Sequence, residues 1–146
     1  MENSIKIANY LLQHGIRPSI QRMAVMGYLM NHQNHPTVDV IYAALSPQIR
    51  TLSKTTVYNA LNLFYEHGAV ATLDIDEKGT RYDANCEIHG HFKCLQCGDI
   101  FDLFNLPNLP FDTIEADGFK VSECRICYKG YCPACAKIET ESSNNK

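Results

Sequence analysis

Hydrophobic residues recur at helical spacing along the first half of the chain and at strand spacing along the second. Ile5, Ile7, Ala8, Leu11 and Leu12 follow a 3.6-residue period within residues 4–14, and Gly15 stands where a C-terminal stop belongs, which predicts a first helix. Pro18 at a first helical turn, followed by Ile20, Met23, Ala24, Val25, Met26 and Leu29, predicts a second that fades over residues 31–35. His35-Pro36-Thr37 then breaks the chain, because the residue before a proline is pushed out of helical geometry. Thr37 can cap a third helix through Val40, Ile41, Ala44 and Leu45, and Ser53 a fourth from Lys54 to His67, closed by Gly68. On that fourth helix Val57, Leu61 and Phe64 share one face, while Thr55, Tyr58, Asn59 and Asn62 share the other. One side is dry and the other is built to hydrogen-bond.

After this helix, residues 69–75 and 80–83 read as short strands joined across Asp76-Glu77-Lys78-Gly79. Short helices followed by a hairpin are the layout of a winged helix, which lays its last helix in the DNA major groove. Thr55, Tyr58, Asn59 and Asn62 can then meet base edges or phosphates, with Thr56 beside them and Arg17, Arg22, Arg50 and Lys54 adding positive charge nearby. Beyond residue 84 the pattern changes. Strand-like runs at residues 91–94, 100–103 and 119–128 surround a linker-like stretch at 105–110 and a short helix at 111–116. The expected organisation is α+β: a winged-helix domain with its hinge over 1–83, a small α/β domain over 84–138, and a frayed polar tail over 139–146.

The composition fits that reading. Of 146 residues 45% are hydrophobic and 20% charged, which excludes wholesale disorder, and the formal charge of -3 carries no basic signature of its own. The charge is uneven: residues 1–73 hold five Lys and Arg against three Asp and Glu, a net of +2, which leaves -5 for the remainder. No apolar run approaches the roughly 18 residues of a membrane span, and the first dozen residues lack the apolar core of a secretion signal. A cytoplasmic setting is expected. There the seven cysteines, all between Cys86 and Cys135, point to metal rather than to a disulfide framework.

Cys94-Leu95-Gln96-Cys97 and Cys132-Pro133-Ala134-Cys135 are the strongest chemical signal, since two such knuckles supply the tetrahedral thiolate set of structural Zn(II). A third unit, Cys124-Arg125-Ile126-Cys127, lies in a strand-like run, where an odd separation points its sulfurs to opposite faces. Cys86 stands alone as a partly buried thiol. A second constellation is nitrogen and oxygen: His89 and His91 at one strand parity, Asp83 before them, Asp102 on the next strand and His35 in the first half. Three imidazoles and two carboxylates suit Fe(II), Mn(II) or Zn(II) better than a soft thiophilic ion.

Taken in order and spacing, His35-Pro36-Thr37 with Ile41-Tyr42, Ser53 to Leu61, Arg81-Tyr82-Asp83, His89-Gly90-His91, Cys94 to Gly98, Asp102 and Cys132 to Cys135 resemble the ferric uptake regulator (Fur) superfamily over nearly the whole chain. The resemblance implies a winged-helix DNA-binding domain, a dimerising α/β domain, a four-cysteine zinc site and a regulatory Fe(II) or Mn(II) site near the hinge. The peroxide-sensing (PerR-like) branch resembles this chain in its three histidines and two aspartates, mapped here to His35, Asp83, His89, His91 and Asp102. Iron-responsive members usually carry glutamate at one of the aspartate positions. That branch implies a homodimeric repressor on an inverted-repeat operator, silenced when peroxide oxidises His35 or His89. Cys124 and Arg125 stand where many iron regulators have histidine, so that additional metal site is not implied. The rival expectations are an iron- or zinc-responsive repressor without peroxide sensing, and a zinc or thiol enzyme. The enzyme reading lacks the HxE glutamate of a deaminase and the βαβ pattern of a thioredoxin.

Overall fold

The computed structural model describes residues 2–75, 77–86, 89–104, 111–121 and 124–144, those at 111–113 and 139–144 by their backbone only. The chain divides into two compact units, Met1–Cys86 and Glu87–Lys146.

The first unit contains α1 (Glu2–Gln13), α2 (Ile20–Asn31), α3 (Val38–Leu45), α4 (Lys54–Glu66), β1 (Ala71–Leu73) and β2 (Arg81–Asp83). Each internal helix starts on a side-chain cap: Ser19 accepts from the amide of Arg22, Thr37 from Val40 and Ser53 from Thr56, so an otherwise unsatisfied amide is paired at each start. The Ser19 cap corrects the expected place of Pro18, which precedes the helix instead of opening its first turn. Gly15 and Gly68, both at φ +72°, end α1 and α4 in the left-handed region that a side chain would oppose. The predicted dry face of α4 is the centre of the core, where Val57, Leu61 and Phe64 are fully buried among Leu11, Ile16, Val25, Met26, Leu29 and Ile41.

β1 and β2 form an antiparallel hairpin in which Ala71 faces Asp83 and Leu73 faces Arg81. These strands are shorter than the expected 69–75 and 80–83, and part of the connecting turn, residue 76, lies outside the described residues. His35-Pro36-Thr37 adds to the free edge of β2: Thr37 bridges Arg81, and the amide of Tyr82 donates to the carbonyl of Pro36 at 3.0 Å. A sequence break thus becomes the third edge of the wing.

The second unit is a three-stranded sheet of order β4-β3-β5, with β3 at Gly90–Cys94, β4 at Ile100–Leu103 and β5 at Ile126–Gly130, plus α5 (Phe111–Ala116) and α6 (Pro133–Asn144). β3 runs antiparallel to β4, with His91 opposite Asp102, and parallel to β5, with Cys94 opposite Gly130. Three expectations change here. The predicted strand at 119–128 begins only at Ile126, so Cys124 is not on a strand and the parity argument about its pairing with Cys127 does not apply. The expected frayed tail is helical through Asn144, in continuation of a helix begun by Pro133, whose fixed φ suits a first helical position. Cys86 is exposed rather than partly buried, its thiol donating to the carbonyl of Gly68 at 3.4 Å. The linker-like stretch at 105–110 lies outside the described residues.

Candidate metal centres and nucleic-acid interface

The four sulfurs of Cys94, Cys97, Cys132 and Cys135 all lie within 4.8 Å of one another. Cys94 ends β3, Cys97 sits in the turn after it, Cys132 precedes α6 and Cys135 lies in its first turn. The two knuckles are brought together by the parallel pairing of β3 and β5, extended by the amide of Leu95 donating to Gly130 at 2.7 Å. Cys94 is fully buried, and its sulfur accepts from the amides of Cys132 at 3.4 Å and Cys97 at 3.5 Å. Burial opposes its ionisation, but the amides of Cys132, Cys97 and Gln96 outweigh it and bring the pKa down to about 6. Cys135 is pushed up to about 12, first by the hydrogen bond to Cys132 and then by burial. Four sulfurs this close, three of them on buried residues and one held as thiolate, fit a thiophilic cation such as Zn(II). Cys124 and Cys127 are not members of this cluster.

The nitrogen and oxygen ligands occur in both units. In the first, His35 is 3% exposed and its Nε2 lies 3.6 Å from Asp83 Oδ2, itself on a buried side chain. His35 is the one non-glycine residue with positive φ among the described residues, at +50°, although it precedes a proline. The Arg81 guanidinium donates to its carbonyl at 3.0 Å. In the second unit the cross-strand pairing of His91 with Asp102 carries His89 in beside it. Nε2 of His89 and Nε2 of His91 both stand 3.2 Å from the same Oδ1 of Asp102, and the two rings are 4.4 Å apart. Phe104 stacks on His89 at 5.1 Å. Two buried imidazoles converging on one carboxylate oxygen fit a divalent transition metal.

The polar face of α4 is open to solvent: Thr55, Asn59 and Asn62 are exposed and Tyr58 is 53% exposed. Thr56 is partly spent on the helix cap, its hydroxyl 2.8 Å from that of Ser53, and Asn62 donates to Glu66 at 3.3 Å. The Lys54 ammonium pairs with Asp39 at 3.1 Å and lies 5.8 Å above the Tyr42 ring, so part of its charge is already answered. Arg17 and Arg22 flank an open cleft of about 530 Å³ at the start of α2, which Thr56 and Asn59 also line. Arg22 is braced there by donating to the Arg17 carbonyl at 2.9 Å. Ser19 and Gln21 join the same cleft and were not singled out from the sequence, where only their position at a capped helix start marked them.

A winged helix together with a cysteine-clustered α/β unit and buried imidazole–carboxylate groups defines a metal-binding transcription regulator. The chain belongs to the ferric uptake regulator family, whose profile matches residues 13–129. It is 40% identical over 134 residues, 88% of this chain and 90% of the relative, to the peroxide operon regulator of Bacillus subtilis strain 168. The solved PerR of Streptococcus pyogenes, described as a basis for peroxide sensing and gene regulation, is 30% identical with a TM-score of 0.50, covering 89% of this chain and 90% of that one. The Helicobacter pylori ferric uptake regulator shares the fold at a TM-score of 0.67 and 21% identity, covering 92% of each chain. These relatives are transcription regulators. Among the described residues no helix is long and apolar enough to cross a membrane.

Proposed function

We propose that this chain is a metal-dependent repressor that senses peroxide by oxidation of its own ligand histidines. Zn(II) held by Cys94, Cys97, Cys132 and Cys135 stabilises the second unit. Fe(II) or Mn(II) is the regulatory ion, and His35, Asp83, His89, His91 and Asp102 are its ligands. The observation that carries the reading is the split of donors. The first unit offers one buried imidazole with a carboxylate and the second offers two with another, and neither set alone fills the five or six positions such ions favour. One ion taking both sets ties the DNA-reading unit to its neighbour and favours the shape that fits the operator, so metal and operator strengthen each other's binding reciprocally.

Within this reading His35, fixed by its backbone, and His89, set against Asp102 and Phe104, are the oxidation targets. Fe(II) held by these ligands would catalyse the reaction in which peroxide places one oxygen on the imidazole and its other oxygen leaves as water, the imidazole giving up the two electrons; Mn(II) held by the same ligands would catalyse it little. An imidazole that has gained oxygen no longer donates as before, and the tie between the units is lost. Arg17, Arg22, Lys54, Thr55, Thr56, Tyr58, Asn59 and Asn62 are assigned to operator DNA. The exposed Phe101, Phe104 and Tyr128 of the second unit suit burial in a homodimer, whose two-fold symmetry an inverted repeat would match. A cytoplasmic location accords with reduced thiols.

Mass spectrometry of the Fe(II)-loaded protein after peroxide tests the reading. The expected result is one added oxygen on the His35 or His89 peptide together with loss of operator binding, and neither change in the Mn(II) form. Unmodified peptides and intact binding in the Fe(II) form would leave a repressor that responds to metal alone.

A further inference from the structure

We propose that Arg81 is a positioning residue that holds His35 in its ligand conformation. This rests on the assignment of His35 as a regulatory ligand. A histidine before proline ordinarily takes an extended backbone, yet His35 sits at φ +50° while 3% exposed. A residue stays in such a conformation only where its surroundings over-determine it. Here they do so from one place. The Arg81 side chain donates to the His35 carbonyl at 3.0 Å, the Arg81 backbone bridges Thr37, and the next amide, Tyr82, donates to Pro36 at 3.0 Å. These three links run to two successive residues of β2, Arg81 and Tyr82. The same strand ends at Asp83, whose Oδ2 is 3.6 Å from His35 Nε2. β2 therefore carries the carboxylate partner of His35 and the clamp on its backbone two residues apart.

The guanidinium bond is the only one of these links made by a side chain, so it alone can be removed without altering the hairpin pairing. Without it His35 is free to relax toward the extended backbone that proline favours, and its imidazole leaves Asp83. The protein then binds the regulatory ion more weakly in proportion to the fraction of molecules still poised. In this role Arg81 acts through the peptide of His35.

The test uses the full-length, zinc-loaded protein without DNA, so that any contact of Arg81 with phosphate does not enter. Mn(II) titration followed by electron paramagnetic resonance should show Arg81→Ala binding about tenfold more weakly, as a fall to a tenth in the poised fraction would give. Arg81→Lys, which keeps one donor, should recover part of the loss. In the His35→Ala background, Arg81→Ala should cost nothing further, and in the metal-free protein it should shift the His35 imidazole signals in a histidine-selective NMR spectrum while leaving the thermal midpoint near that of the parent. Unchanged Mn(II) affinity in Arg81→Ala, or an additional loss in the double variant, would overturn the proposal. If Arg81→Ala fails to fold, Arg81→Lys decides by the same titration, parental affinity with unmoved His35 signals counting against it. Should His35→Ala itself bind Mn(II) as tightly as the parent, the ligand assignment fails first.

Discussion

At the scale of single residues, the chemistry of the cysteine site is set by a few backbone amides. Cys94 is held as a thiolate because amides from Cys132 and Cys97 point at its sulfur, whereas Cys135 keeps its proton because Cys132 and burial stabilise the thiol. The two shifts have opposite consequences for the metal-free protein. The pKa of Cys94 is depressed from 9 to about 6, so its contribution is fully present above pH 9 and is lost as pH falls toward 6. The pKa of Cys135 is raised from 9 to about 12, so its contribution is present below 9 and is lost as pH rises toward 12. Chelator-stripped, reduced protein should therefore show its highest urea midpoint near pH 9, falling on either side. A midpoint that climbs steadily from pH 9 down to pH 6 would refute this. The strained His35 belongs to the same scale, since a left-handed non-glycine residue costs on the order of 1–3 kcal/mol that the β2 contacts must offset.

At the scale of elements, α4 decides whether the first unit exists. Its apolar stripe fills the core and its polar stripe stays outside, so a single helix both anchors the fold and presents the surface that the proposed function assigns to DNA. Phe64 is fully buried among residues of three other helices, and Phe64→Ala should destabilise the protein by about 3–5 kcal/mol, measured by chemical denaturation. Asn59, exposed on the opposite face, gives the contrast: its replacement by Ala should leave the denaturation midpoint in place. The helices were legible in the sequence because caps, stops and period all agree within each segment. The β5 boundary was not. Residues 119–125 alternate as a strand would, but only from Ile126 onward does β3 offer a partner. The polar tail departs for the complementary reason: polar composition predicts solvation, and a helix satisfies its own backbone as well as a coil satisfies it with water.

At the scale of the whole molecule, each unit owes its stability to a different source. The first has an apolar core built from four helices and the wing, while in the second the buried cluster among the described residues consists of Cys94, Cys132 and Cys135. Under the proposed function, Zn(II) at these thiolates would add to the stability which that cluster supplies. Under the proposed function, operator binding falls to the first unit, and in a chain of net charge -3 it would rest on a local basic surface such as the Arg17–Arg22 cleft. Arg17→Ala should reduce the salt dependence of operator binding by about one counterion while leaving Mn(II) affinity unchanged, as fluorescence anisotropy over a range of salt would show.

The sequence by itself determined the ligand types, the paired CxxC knuckles, the capped helices and the division of α4 into dry and polar faces, because each is written in residues a few positions apart. Tertiary structure alone supplied the pairing that brings the two knuckles together and decided which side chains are already engaged. Cys94 and Cys132 converge because β3 lies parallel to β5, a pairing across more than thirty residues that no local period encodes. Lys54 and Thr56 are occupied by Asp39 and Ser53, which only packing and cap geometry could settle. The left-handed turn at His35 runs against its own local preference, and what overrules it is the hairpin that docks beside it from the far side of α4.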